Sequence, residues 1–125
     1  MPKKNDFEAT FALLKAIFEP YAAKLVVSSD TDKNYYLETN HIMKNKHRLF
    51  FGGVRIGKAY VSFHLMPVYA FPELLERVSP ELKRRMQGKS CFNFSSPDEK
   101  LFRELAKLTK AGFARFTSKK FYLKF

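Results

Sequence analysis

The sequence predicts an α+β fold, with a mostly antiparallel sheet of about five strands and N- and C-terminal helices packed on one face. Apolar residues recur at helical spacing near both ends of the chain, and the middle alternates between apolar and polar residues. The strand-like segments between residues 35 and 65 are joined by connections too short for a parallel crossover. These strands are therefore expected to pair antiparallel, with the helices covering one side.

The first helix is predicted from the spacing of its apolar side chains. They recur every three or four residues and so share one helical face: Phe7, Phe11, Leu14, Phe18 and Ala22. Asn5 or Asp6 can cap the N-terminus of this helix. Pro20 is expected to end or kink it near Glu19.

Four strands are predicted to follow, at residues 25–28, 35–39, 49–56 and 59–65. A turn at 30–34, a basic loop at 41–48 and a tight connection at Gly57-Lys58 are expected to join them. Gly52-Gly53 inside the third strand predicts a β-bulge or a close approach of two backbones. Pro67 is expected to stop the fourth strand.

The second half is predicted to hold two short helices, a fifth strand and a long helix. A helix is expected at 71–78, and a second one should begin at the cap Ser79 and end at Gly88. The fifth strand is placed at 89–94. Ser96 is predicted to cap the last helix, because Glu99 stands three residues later as in a capping box. Its buried face is expected to contain Leu101, Leu105, Leu108 and Phe116.

Length and charge limit the class of protein. The 125 residues suit one domain, and the formal net charge is +11. Residues 1–40 hold five Lys against six acidic residues, whereas 41–125 hold 18 Lys or Arg against six. Such a surface can attract nucleic acid or small anions, or it can simply be solvated. The tail at 117–125 is basic and aromatic, and it is expected to form a short strand or a loose end.

The location is expected to be cytoplasmic. Cys91 is the only cysteine, so no internal disulfide can form, which suits a reducing compartment. The N-terminus lacks the apolar segment of a secretory signal, and no apolar run is long enough to cross a bilayer. No membrane interaction is expected.

One face of the predicted sheet is the candidate binding site. Alternation along the fourth strand separates polar residues from Val61, Phe63 and Leu65. The polar residues of the fourth strand and those of the neighbouring strands, including Tyr36 and Glu38, form a mixed, cationic patch. Such a patch suits a polar or anionic small ligand. A merely solvated sheet face is the alternative. The candidate ligand-binding residues are Arg55, Lys58, Tyr60, Ser62, His64, Cys91 and Asn93.

Two other chemistries use the same residues. Cys91 and His64 could form a thiol–imidazole pair if their strands are adjacent. Aromatic and basic residues interleaved on a sheet are also typical of single-strand nucleic-acid binders, although no RNP-type motif occurs. The sequence has no Gly-rich phosphate loop, GxSxG, HExxH, CxxC or EF-hand loop. No catalytic residue and no cofactor are therefore assigned.

Residues 49–116 resemble the bacterial YdhG-like family, a domain of unknown function. The specific stretches are FHLMP after an alternating strand, MQGKSCFNF, and the helix start at Asp98-Glu99. The resemblance implies a frataxin-like sandwich, and one branch of the family is described as an intracellular iron chaperone. That alternative would use acidic residues of the first helix and first turn, namely Asp6, Glu8, Asp30 and Asp32.

The chain departs from frataxins in its charge. Frataxins carry an acidic ridge on the first helix and first strand, where carboxylate oxygens hold iron. Here the acids of this region are offset by five lysines, and the rest of the chain is strongly basic. The fold is therefore carried over from the resemblance, and the iron ligands remain an alternative.

Overall fold

The computed structural model describes residues 6–117 and places four α-helices and six strands among them. The helices are α1 (Phe7–Phe18), α2 (Met66–Ala70), α3 (Pro80–Lys83) and α4 (Glu99–Phe116). The strands are β1 (Val26–Asp30), β2 (Asn34–Ile42), β3 (Arg48–Ile56), β4 (Val61–Leu65), β5 (Met86–Gln87) and β6 (Cys91–Phe94). Two 3₁₀ helices, Glu19–Lys24 and Pro72–Leu75, follow α1 and α2.

The six strands of the described part form one sheet in the order β1-β2-β3-β4-β6-β5, and every pair is antiparallel. The predicted α+β class is therefore confirmed, with one strand more than expected. The additional strand is β5, which pairs with β6. Gly88 lies between these two strands with φ of +80°, a conformation that glycine adopts at little cost. The prediction that Gly88 ends a helix is wrong, since α3 ends at Lys83.

The helices pack on the sheet through aromatic side chains. Phe18 of α1 stacks on Phe63 of β4, with ring centroids 4.5 Å apart. Phe102 of α4 meets Phe94 of β6 edge to face at 4.9 Å. Residues that alternate with these along the strands point to the opposite side of the sheet and are less buried. We call that opposite side the open face.

The two glycines of β3 mark both a bulge and close contacts. The register shifts between Leu37 and Glu38, which pair with Gly52 and Phe50, so Phe51 is the extra residue. A Cβ on Gly52 would lie 2.7 Å from the Phe18 ring. A Cβ on Gly53, on the open face, would lie 2.1 Å from Cδ1 of Tyr36. The prediction for this dipeptide is confirmed.

Aspartate side chains cap both long helices. Asp6 Oδ1 accepts a hydrogen bond from Ala9 N at 3.2 Å, as predicted, while the alternative cap Asn5 lies outside the described residues. The predicted cap Ser96 is wrong. Asp98 Oδ1 accepts a hydrogen bond from Leu101 N at 3.1 Å, and α4 begins at Glu99. The predicted buried positions are confirmed: Leu101, Leu105, Leu108 and Phe116.

Other boundaries differ from the predictions because of prolines and turns. The helix expected at 71–78 is confirmed only as the shorter 3₁₀ helix Pro72–Leu75. It begins after Phe71, which precedes Pro72 and has a non-helical backbone (φ −130°, ψ 76°). The α-helix α2, before it, was not predicted. The loop expected at 41–48 is shorter, because β2 runs to Ile42. Of the tail predicted at 117–125, residues 118–125 lie outside the described part.

Candidate functional site on the open face

The antiparallel register aligns the open-face residues of four strands in two rows. One row, which we call the polar row, crosses the sheet as Asn34, Arg55, Ser62 and Asn93, each paired with the next. The neighbouring row crosses it as Tyr36, Gly53, His64 and Cys91. β4 and β6 are thus adjacent, although the whole segment from α2 to β5 separates them in the sequence.

A cavity of about 390 Å³ lies where these rows meet β3. Gly53 is among the residues that line it, and the Tyr36 ring packs over the space that its missing side chain leaves. Phe50 lines it as well, with its ring 5.9 Å from Tyr36 and 5.0 Å from His64, centroid to centroid. Arg55 and Ser62 line it from the polar row. The cavity therefore combines aromatic walls with a cation and a hydroxyl.

A chain of side-chain hydrogen bonds holds the β6 end of the polar row. Ser62 Oγ donates to Asn93 Oδ1 at 2.7 Å, and Asn93 Nδ2 donates to Gln87 Oε1 at 2.6 Å. These contacts restrict the rotamers of both amides and of the hydroxyl. The row therefore presents a fixed polar edge to the cavity.

His64 is held by a serine that sequence reasoning missed. Its Nε2 lies 2.7 Å from Ser90 Oγ, and Ser90 is buried. Burial lowers the pKa of the His64 imidazole below its ordinary value. Near neutral pH the ring is therefore uncharged, and it offers the cavity a neutral polar group.

The lowered pKa of His64 predicts a pH dependence of stability. Since the unfolded chain takes up this proton more readily, the free energy of unfolding should rise with pH until about 6.5, the ordinary imidazole pKa, and gain nothing from His64 above it. Urea unfolding at several pH values between about 5 and 7.5 measures this slope. The slope should be shallower in His64→Gln than in the parent protein. Equal slopes in the two proteins would contradict the prediction.

The thiol–imidazole pair predicted as an alternative is brought together but not activated. Cys91 pairs directly with His64 in the β-ladder. Burial raises the pKa of the Cys91 thiol, and a contact with the Ser90 side chain offsets part of this rise. Within residues 6–117 the hydrogen bond of the His64 ring goes to Ser90, with none to Cys91. The arrangement favours a neutral thiol over a nucleophilic thiolate.

Arg55 is the cation of the cavity that is free to meet an anion. Its side chain is exposed, and no carboxylate of residues 6–117 forms an ion pair with it. The ion pairs of the described part lie elsewhere: Lys15–Asp30, Arg84–Glu81, Arg103–Glu99 and Arg115–Glu73. An anion reaching Arg55 therefore displaces no internal partner in this part of the chain.

The structure gathers five of the seven predicted site residues on the open face and leaves two outside it. β4 begins at Val61 instead of residue 59, because Gly57 N donates to the Tyr60 carbonyl at 2.8 Å and closes a turn. Lys58 and Tyr60 are therefore exposed turn residues beside the sheet. Those that share the open face are Arg55, Ser62, His64, Cys91 and Asn93.

The acidic residues of the iron alternative do not form a cluster. Asp6 caps α1, and Asp30 forms an ion pair with Lys15 at 3.1 Å. Glu8 and Asp32 are exposed, on α1 and in the β1–β2 turn. Across the described range, no group of three or more His, Cys, Asp or Glu side chains is placed to hold a metal ion.

No known protein family, curated protein or solved structure matches this chain. The resemblance to the YdhG-like family therefore stays a prediction from the quoted stretches. Of the helices between residues 6 and 117, none is long and apolar enough to span a bilayer.

Proposed function

We propose that this chain is a YdhG-like domain, built as a frataxin-like sandwich, that binds a polar or anionic small ligand in the open-face cavity. The observation that carries the proposal is the position of Arg55. Its guanidinium lines a cavity with aromatic walls and has no ion-pair partner in the described part of the chain. A cation beside aromatic rings favours a ligand that has both an anionic and a planar part.

The chemistry of the walls narrows the ligand class. A guanidinium can donate two parallel hydrogen bonds to one carboxylate or phosphate. The rings of Tyr36 and Phe50 offer apolar surface to a flat group, and neutral His64 adds no competing charge. At about 390 Å³ the cavity is near the small end of ligand sites, so a molecule of one or two rings suits it best.

A matched series of three probes tests the proposal. Benzoate has a ring and a carboxylate, acetate has the carboxylate alone, and benzamide has the ring without the charge. Titrations followed by ¹H–¹⁵N NMR should show benzoate binding most tightly. The shifts should centre on the backbone amides of Tyr36, Phe50, Gly53, Arg55, His64 and Cys91.

The Arg55→Gln variant should weaken benzoate binding by at least about tenfold and leave benzamide binding nearly unchanged. Arg103→Gln is the matched control, because Arg103 forms its ion pair with Glu99 on the exposed side of α4 and the change in net charge is the same. Equal weakening in both variants would overturn the proposal, since it would indicate a general charge effect. Benzoate shifts away from the open face would overturn it as well.

A further inference from the structure

Cations without ion-pair partners stand at both ends of the open face. At one end Lys33 and Lys58, with exposed Asp32 beside Lys33, lie in neighbouring turns, which a hydrogen bond from Ile56 N to the Lys33 carbonyl joins at 2.9 Å. Arg55 adds a third cation near this end, so the charge there is net positive. At the other end the β2–β3 loop exposes Lys44 and Lys46. Within residues 6–117 none of these lysines forms an ion pair.

Aromatic side chains lie between these two cationic ends. Phe50 and Tyr36 lie between the ends on the open face, each as the third residue of its nine-residue strand. Tyr60 adds a ring at the Lys58 end, where it is 49% exposed. From Arg48 to Arg55, β3 spans about 23 Å at ~3.3 Å per residue, which is long enough for several nucleotides. Cations at both ends with aromatic rings between them match the chemistry of a flexible polyanion that carries flat bases.

We infer that the open face binds single-stranded nucleic acid, with one nucleotide in the cavity beside Arg55. The inference rests on the proposed function, because it takes the cavity to be the site where one base and its phosphate meet Tyr36 and Arg55. It adds a partner class that the small-ligand proposal does not contain. Duplex nucleic acid fits less well, because its bases are stacked inside the helix and cannot reach aromatic rings on a sheet.

The β2–β3 loop allows a clean test of the charge contribution. Lys46 has φ of +70°, a left-handed backbone conformation that asparagine tolerates better than most residues do. Lys46→Asn therefore removes the charge without adding backbone strain, and Lys44→Gln removes its exposed neighbour. The matched control is Lys107→Gln/Lys110→Gln, which removes two exposed lysines from α4, on the helical side of the sheet.

The experiment measures binding of a fluorescein-labelled dT12 strand by anisotropy at several salt concentrations, with a dT12·dA12 duplex beside it. The full chain should bind the single strand more tightly than the duplex. For Lys44→Gln/Lys46→Asn, the negative slope of log K against log salt should become less steep by about 1.4, roughly 0.7 for each lost phosphate contact. The α4 double variant should keep the parental slope. Tyr36→Leu should weaken binding by about fivefold or more with the slope unchanged, because stacking does not depend on salt.

The outcomes separate this inference from the function it rests on. Benzoate binding reports on the cavity alone, because so small a ligand does not reach the lysines of the β2–β3 loop. Two outcomes overturn the nucleic-acid inference and leave the cavity proposal standing if benzoate binds. In one, the slope of log K against log salt is reduced equally in both double variants. In the other, the duplex binds as tightly as the single strand. If benzoate does not bind and Tyr36→Leu has no effect on dT12, both are overturned. Thermal unfolding of each variant shows that the fold is intact.

Discussion

Replacing Phe18 by alanine is expected to lower the free energy of unfolding by about 3–5 kcal/mol. The ring is fully buried, stacks on Phe63 at 4.5 Å and meets Phe51 edge to face at 6.2 Å. It also covers Gly52, which has no side chain that could move into the space left behind. Urea unfolding followed by circular dichroism measures the change, provided that both proteins unfold in a two-state transition.

Leu13→Ala is the control for this prediction. Leu13 lies on the same helix and is 49% exposed, so its truncation is expected to change the free energy of unfolding by no more than about 0.5 kcal/mol. A loss in Phe18→Ala as small as that in Leu13→Ala would contradict the packing of α1 against β3 and β4.

The parts of the fold that depend on local pattern were predictable. Apolar residues three or four apart located α1 and the buried face of α4, and alternation placed Ser62 and His64 on the side opposite Phe63. Short connections predicted antiparallel pairing of β2, β3 and β4. In each case the signal is a periodic pattern of residues close in sequence, although the contacts that bury them, such as Phe18 with Phe63, join distant segments.

The start of α4 shows where local pattern was insufficient. Ser96 and Asp98 both have side-chain oxygens able to cap a helix, so the sequence permitted two starts. In the structure Asp6 N donates to the Ser95 carbonyl at 3.1 Å, which ties the segment before α4 to the start of α1. That contact joins residues far apart in sequence, and Asp98 makes the capping hydrogen bond.

The candidate site was only partly predictable for two physical reasons. The bulge at Phe51 changes the alternation of β3, so Phe50 joins the open face, and simple counting along the strand does not reveal this. The glycine pair was a signal for the bulge but did not give its position. The pairing of β4 with β6 brings Cys91 opposite His64 across a long intervening segment, and no local pattern encodes that contact.

Gly53→Ala is expected to weaken ligand binding and to lower the free energy of unfolding by about 1–3 kcal/mol. The new Cβ would lie 2.1 Å from Cδ1 of Tyr36 and 2.8 Å from the Tyr35 carbonyl oxygen. The Tyr36 ring can move away, but the backbone carbonyl can only shift with its strand, which explains the loss of stability. The methyl group and the displaced ring would both occupy or deform the cavity, so benzoate and dT12 should bind at least about tenfold more weakly.

Gly52→Ala is the matched control, because it makes the same substitution one residue earlier on the other side of the sheet. Its Cβ would lie 2.7 Å from the Phe18 ring and 2.8 Å from the His64 carbonyl oxygen, so a similar loss of stability is expected. The open-face side chains are not among these contacts, and the folded Gly52→Ala protein should still bind benzoate. If the two variants lost stability and binding in parallel, weaker binding would follow from strain in the sheet, and the cavity at Gly53 would not be the binding site. Binding lost in Gly53→Ala alone would instead locate the ligand in the cavity that Tyr36, Gly53 and His64 line.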